Sequence, residues 1–380
     1  MEAVSADAKM EANAESRRTL SDLSVGELEA WLAESGFKAS HAEALLRAYY
    51  ESGDEAGWGE MLLPRGLVEK LRGEFLVNRP EQVARQVAED GTTKLLLKLR
   101  DGRTVETVMM TDFREDRVAG CVSSQVGCAM GCDFCATTKT GFERNLTTGE
   151  IVEQFLALRR EAAAVGKNVQ TLVFMGMGEP MLNLDNVLEA VRRIAPNELG
   201  ALGWRQITVS TVGIVPGIEK MMEANLNIHL AVSLHAPDDE TRAKLLPMGK
   251  RFGVEEILAA ADRYQAKTGR PVTIQYCLLK GVNDSPEQAR MLAELVGARR
   301  MHVNLLWYNP TGLSLKGVAY ERAESEAGEA FVAVLRERGV VAHFRRPRGR
   351  DIDAACGQLR RRAAGQDVGT TESGAGSERA

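Results

Sequence analysis

The run Cys128-Ala-Met-Gly-Cys132-Asp-Phe-Cys135 puts three thiols within eight positions. Thiolates so close in sequence face one point only if the backbone loops around it, and Gly127 and Gly131 permit that path. Three cysteines can hold an iron–sulfur cubane and leave its fourth iron open to a small chelating molecule. A structural zinc site is the competing chemistry. Zinc ligands come as two closely spaced pairs. The nearest fourth thiol, Cys121, lies seven residues upstream on a strand-like run without such a neighbour, so the spacing favours the cubane. Cys277, between Tyr276 and Leu278, reads as a core residue of a strand, and Cys356, taken alone, as a buried thiol on a short helix.

A second constellation surrounds the first. Gly176-Met177-Gly178-Glu179-Pro180 follows the strand-like run TLVFM. Its glycines let the backbone approach a ligand, and Glu179 can accept hydrogen bonds from a cationic amino group. Ser210, Ser233, His235 and Asn309 each lie at or near the end of a strand-like run. Any one of them serves equally well as a turn or capping residue, and a lone histidine is more often structural than functional. Together they carry more weight.

The elements that must position these groups alternate. Strand-like runs at Cys121–Val126, Thr171–Met175, Gln206–Thr211, Ile228–Leu234, Val272–Leu278 and His302–Leu306, with a short one at Val340–Phe344, are interleaved with helical patterns. The helical patterns cover Thr148–Ala163, Asp185–Ile194, Pro216–Glu223, Val254–Thr268, Pro286–Val296 and Glu324–Arg338. That rhythm predicts an α/β fold, a parallel sheet with helices outside, open or closed into a full or partial barrel. Such folds gather reactive groups at the carboxyl ends of the strands.

Upstream, residues 19–80 read as a small helical domain. Ser24 and Glu27 suit a capping box, and Ala42, Leu45, Leu46 and Tyr49, then Leu67, Val68 and Leu71, form apolar stripes. Residues 81–118, with Asp90-Gly91 and Asp101-Gly102 turns, read as a β-meander linker. The core is expected at 119–362, with disordered tails at 1–18 and 363–380.

The net charge of −5 does not suggest a nucleic-acid binder as a whole. Seven arginines (345, 346, 348, 350, 360, 361 and 362) nevertheless crowd one stretch, and a local patch is what a polyanion feels. No apolar run reaches the roughly 18 residues of a membrane helix, and the N-terminus lacks a secretory pattern. These features predict a cytoplasmic protein with no membrane partner, with reduced thiols. Nothing points to an obligate dimer, so a monomer is expected.

CVSSQVGCAMGCDFCATTKTGFERNLTTGEI, VFMGMGEPMLN, ITVSTVGIVPGI, AVSLHAPDDETRAKLLP and RGRDIDAACGQL together resemble the RlmN family of the radical S-adenosylmethionine (SAM) superfamily. Its members are dual-specificity methyltransferases of adenine C2 in 23S ribosomal RNA and transfer RNA. The resemblance runs from about Thr19 to Leu359. It implies a partial (β/α)6 radical SAM barrel with an N-terminal helical domain. Cys128, Cys132 and Cys135 would hold a [4Fe–4S] cluster. Gly178, Glu179, Ser210, Ser233, Leu234, His235 and Asn309 would contact SAM. Cys356 would carry the methyl group, Cys121 would resolve the intermediate, forming a disulfide, and Glu106 would handle a proton. The family's usual Trp-Asn-Pro is Tyr308-Asn309-Pro310 here, and the Glu106–Cys121 segment is slightly longer than the family pattern.

The family's chemistry explains two isolated cysteines. Adenine C2 is an electron-poor carbon that does not attack the methyl of SAM directly, so two SAM molecules serve per turnover, one to methylate the carrier and one to activate that methyl. The resemblance further implies 23S rRNA and tRNA as partners and an electron donor such as flavodoxin or ferredoxin. Arg345, Arg346, Arg348 and Arg350, just upstream of Cys356, suit RNA phosphates; the 360–362 run alone would read as a solvated basic face. The target adenine must be loop-like or extruded. The same residues would serve a Cfr-type enzyme acting on adenine C8. A reading from another class is a non-catalytic RNA-binding protein with a structural metal site.

Overall fold

The computed structural model describes residues 18–365, apart from 78, 113, 196–198, 200–201, 248–250, 346–347, 350 and 353–355. Both tails therefore lie outside the described residues, apart from Arg18 and residues 363–365, and so do Arg346 and Arg350.

Ten strands form one sheet in the order β1-β2-β3-β4-β7-β8-β9-β10-β11-β12. Its parallel part comprises β4 (Arg117–Cys121), β7 (Asn168–Phe174), β8 (Ile207–Thr211), β9 (His229–Ser233), β10 (Val272–Leu278), β11 (Met301–Trp307) and β12 (Ala342–Phe344). Between consecutive parallel strands run α4 (Thr148–Ala164), α5 (Leu184–Ile194), α6 (Val215–Glu223), α7 (Asp239–Leu245) with α8 (Val254–Thr268), α9 (Pro286–Gly297) and α10 (Ser325–Glu337). Six strand–helix units, with no pairing between β4 and β12 among the described residues, make an open partial barrel. The central strands alternate, with Ile207, Val209, Ile274 and Val303 in the apolar core and Thr208, Ser210, Thr273, Gln275 and Asn304 lining the interior.

The meander is β1 (Glu81–Val87), β2 (Thr93–Lys98) and β3 (Thr104–Thr111), all antiparallel. It is more than a connector, because β3 pairs with β4 and extends the barrel sheet at its open edge. Val108 stands opposite Cys121 in that register.

The N-terminal helices are α1 (Val25–Glu34), α2 (Ala42–Ser52) and α3 (Leu67–Glu74). The capping box forms: Glu27 N–H donates to Ser24 Oγ at 3.2 Å, and Ser24 N–H to Glu27 Oε2 at 2.8 Å. This unit packs on α4, whose outer face is thereby buried as well as its inner one. Part of that cover is polar, with Ser21 and Tyr49 reaching Glu153 on α4.

One strand differs from expectation. The run Cys121–Val126 was read as a single strand, yet β4 ends at Cys121 and β5 (Gln125–Gly127) turns away to pair with β6 (Phe142–Asn145). The cause is the path through Ser123 and Ser124, whose backbone and side chains bond to the glycine loop after β7: Met177 N–H donates to Ser123 Oγ at 2.9 Å and Ser124 N–H to Met177 O at 2.9 Å. Cys121 consequently sits at the carboxyl end of a parallel strand.

Candidate active site

A cavity of about 1140 Å³ fills the barrel interior, and the chemistry-bearing residues cluster at the carboxyl ends of its strands. Cys128, Cys132 and Cys135 all line it. Their loop is wrapped as the glycines suggested. Gly127 has φ 77 and Gly131 φ 69, and a Cβ on Gly127 would collide with Gly141 O. Cys128 N–H donates to Gly141 O at 2.9 Å, and Thr138 Oγ1 to the carbonyls of Cys132 and Cys135 at 3.0 and 2.9 Å.

Burial pushes the Cys128 thiol up to about 12 and raises Cys132 and Cys135 too. Bare thiolates are therefore unfavourable there, whereas iron would displace the protons and hold the anions. Three soft, buried donors around open space fit an iron–sulfur cluster. Among the described residues no three His, Cys, Asp or Glu side chains converge as the ligands of one ion would; a cubane spreads its ligands over separate irons. Cys121, the fourth ligand a zinc site would need, is engaged elsewhere.

Beside the thiols lies the glycine loop. Gly178 has φ +101, and a Cβ there would stand 2.6 Å from Gln125 Cβ, so only glycine lets this backbone pass. Gln125 Oε1 accepts the Glu179 N–H at 2.8 Å and so fixes the glutamate. Glu179 is 2 % exposed; its oxygens accept from Met181 N–H at 3.0 Å and Val212 N–H at 2.8 Å. Burial outweighs these bonds and pushes its carboxyl up to about 7. A cation arriving in the cavity would reverse that.

Ser210, Ser233, His235 and Asn309 line the same cavity. His235, at φ 59, accepts the Cys277 N–H on Nδ1 at 3.0 Å, which leaves Nε2 to carry its hydrogen. Burial, then the Arg242 charge, drives the ring down to about 3, so it is a neutral donor at any working pH. The Phe134 ring stands edge-on to it at 5.1 Å. Leu234 differs: its side chain is fully buried in the apolar core and does not line the cavity, so only its backbone could serve a ligand. Cys277 is buried as expected, yet it also borders the cavity.

Cys121 and Cys356 meet at the cavity edge, although 235 residues separate them (356 − 121). The two thiols interact: that interaction raises Cys121, with burial adding to it, and lowers Cys356 against the opposing effect of burial. Cys356 Sγ also donates to Met175 O at 3.6 Å.

The Radical SAM superfamily pattern matches residues 122–293. A protein named "Probable dual-specificity RNA methyltransferase RlmN 1", from Opitutus terrae, is 66 % identical over 344 residues, covering 90 % of this chain and 97 % of its own. A "Probable dual-specificity RNA methyltransferase RlmN" from Symbiobacterium thermophilum is 42 % identical, with 93 % and 94 % covered. The chain belongs to the RlmN family. The crystal structure of a radical SAM methyltransferase from Sphaerobacter thermophilus superposes with a TM-score of 0.83 at 40 % identity, over 90 % of this chain and 98 % of that one. Family membership implies a [4Fe–4S] cluster and SAM.

Against that RlmN background, sequence reasoning missed four residues. Gln125 sets the Glu179 backbone. Arg242, 2 % exposed, brings a buried cation near Cys132. Thr137 donates to Cys356 O at 3.0 Å. Lys94, 1 % exposed, pairs with Glu106 at 3.1 Å. None has a local motif; each is legible only as a buried polar residue once the fold is known. The arginines divide as well. Arg345 and Arg348 line the cavity, whereas Arg360 is bound to Glu143 and is no solvated face.

Proposed function

We propose that this protein methylates C2 of adenine in 23S ribosomal RNA and transfer RNA, with Cys356 as the methyl carrier. The contact between the Cys121 and Cys356 thiols supports this reading above all. An ordinary methyltransferase has no use for a thiol pair beside its cofactor pocket, whereas an electron-poor ring carbon demands a carrier and a means of release.

Cys128, Cys132 and Cys135 would hold the cluster, and Glu179 would take the SAM ammonium group, with Ser210, Ser233, His235, Asn309 and the Gly178 and Leu234 backbone around the rest. The bound cluster and two SAM molecules per turnover supply a methyl group and a hydrogen-abstracting carbon radical. Cys356 Sγ accepts the methyl group and delivers it to the ring, so that protein and RNA become covalently joined. Glu106 would handle the proton from C2; its carboxylate receives hydrogen bonds from Lys94, Gly357 and Arg360 and lies behind the cavity wall, so the proton would reach it through a neighbouring group. The Cys121 thiolate then attacks the Cys356 sulfur. The new S–S bond replaces the bond to the methylene carbon, and an outside reductant must restore both thiols. Arg345 and Arg348 would hold RNA phosphates beside the carrier. A monomer, a cytoplasmic setting and a flavodoxin- or ferredoxin-type electron donor complete the proposal. No helix among the described residues is long and apolar enough to cross a membrane.

The test is anaerobic turnover of cluster-reconstituted protein with methyl-labelled SAM, reductant and a ribosomal RNA fragment, followed by nucleoside mass spectrometry. Label in 2-methyladenosine that disappears in Cys356→Ala is expected. Label in 8-methyladenosine would replace the regiochemistry, and no methyladenosine at all would overturn the reading.

A further inference from the structure

Lys94 lies on β2 and Glu106 on the neighbouring β3, where the register sets Leu96 opposite Glu106 and Lys94 opposite Val108. The pair is thus a diagonal one on a single face of the sheet. Both side chains are 1 % exposed, with Lys94 Nζ 3.1 Å from Glu106 Oε2. A carboxylate buried without a counter-charge is costly, and Lys94 supplies that counter-charge to Glu106.

Glu106 reaches across to the C-terminal helix α11 (Gln358–Ala363). Its Oε2 accepts the Gly357 N–H at 2.8 Å and its Oε1 the Arg360 N–H at 2.8 Å. These are the N-cap and N3 donors of the helix, which a capping box satisfies with two side chains of the helix itself and which one carboxylate takes here. Here the carboxylate comes from 251 residues upstream.

The peptide unit between Cys356 and Gly357 is therefore held from both sides. Its N–H goes to Glu106, and its carbonyl accepts from Thr137 Oγ1 of the cysteine loop at 3.0 Å. Gly357 packs so closely on that loop that a Cβ would lie 2.8 Å from Thr137 Cα. Fixing this peptide fixes the Cys356 Cα, and with it the reach of the thiol toward Cys121. Lys94 also lines the cavity into which both thiols project.

We propose that Lys94 is a positioning residue for Cys356: it pairs with the buried Glu106 side chain, and Glu106 clamps the peptide that presents the carrier thiol to Cys121. The proposal rests on the reading of Cys356 as the carrier, but its test does not. The β-meander then acts as a seat for the C-terminal segment, and a charge on β2 sets a sulfur–sulfur distance two elements away.

The test is the rate at which cluster-reconstituted protein, kept anaerobic, joins Cys121 to Cys356 on treatment with oxidised glutathione. Two thiols are oxidised to one disulfide while one glutathione disulfide becomes two thiols, and the product is counted by peptide mass spectrometry. Lys94→Met is expected to slow the joining roughly ten- to hundredfold, the scale of a displacement of about 1 Å between reacting groups, with iron content per chain at the wild-type level. Lys94→Arg, which keeps the charge, is expected to restore most of the rate. If Lys94→Met does not fold, Lys94→Gln, with a donor but no charge, takes its place. Joining at the wild-type rate in the uncharged variant, or a loss that Lys94→Arg does not relieve, overturns the proposal. A wild-type protein that forms the disulfide readily yet yields no methyladenosine would overturn the proposed function and leave this clamp standing.

Discussion

The cavity and the seat of the N-terminal helices use the same kind of group for opposite ends. In each, burial lifts a glutamate to about 7, Glu179 in the cavity and Glu153 at the seat. Glu153 lies on α4, where Tyr49 Oη donates to it at 2.7 Å and Ser21 Oγ donates as well. Around it Gly149 N–H bonds Asp22 Oδ1 at 2.7 Å and Arg193 Nη1 bonds Ser21 O at 2.6 Å. At the seat both donors from the helical unit reach Glu153 Oε1, and Oε2 is buried without a partner. Glu179 takes two fixed backbone donors and then faces open cavity. Burial lifts both carboxyls, but only Glu179 faces space that a ligand can enter.

That contrast can be broken most forcefully at the thiols. Cys132→Ala removes a donor that faces open space without removing any contact of the seat. It should abolish stable cluster assembly, read as loss of bound iron and visible absorbance, while the urea midpoint of the N-terminal unit, followed by Trp58 fluorescence, stays close to wild type. Glu179→Gln comes next. Exchanging a charged acceptor for a neutral one should weaken SAM binding by about 1.5–3 kcal/mol, or roughly ten- to a hundredfold, as measured by calorimetry. The wild-type affinity should also fall as pH drops below about 7, because protonation removes the partner of the SAM ammonium group; in Glu179→Gln that dependence should vanish.

The third test, at the seat, is one of stability rather than of binding. Glu153 has a folded-state value near 7 above its unfolded value, so the native state binds the extra proton. Its contribution is fully present below about pH 4.5 and is lost as pH rises through 7, on the order of 3 kcal/mol in all. Glu153→Gln should flatten that slope, so the variant gains on wild type at pH 8 relative to pH 5 in denaturation experiments, with SAM binding unmoved. A seat variant that altered SAM affinity would dissolve the distinction between the two regions.

Much of this was legible in the sequence because the signals are local. The cysteine spacing, the glycine loop after TLVFM and the strand–helix rhythm each depend on neighbouring residues, and each was found where expected. The β5/β6 hairpin was missed since its strands are only three and four residues long, too short for a period to register. The short helix α7 was passed over between Asp238 and Leu246 for the same reason. Lys94, Thr137 and Arg242 were invisible for another: in one dimension a buried cation or hydroxyl looks like a surface one. Only tertiary pairing, such as β3 against β4, brings Glu106 to a helix 251 residues away.

The central claim is that two thiols facing each other across the cavity edge carry and release the methyl group. Its most direct test is Cys121→Ala turned over anaerobically with SAM, reductant and RNA, and then analysed under denaturing conditions. Without the attacking thiol, Cys356 should remain joined to RNA, as a covalent adduct whose peptide maps to residue 356. Free 2-methyladenosine RNA formed at the wild-type rate, with no adduct, would contradict the account.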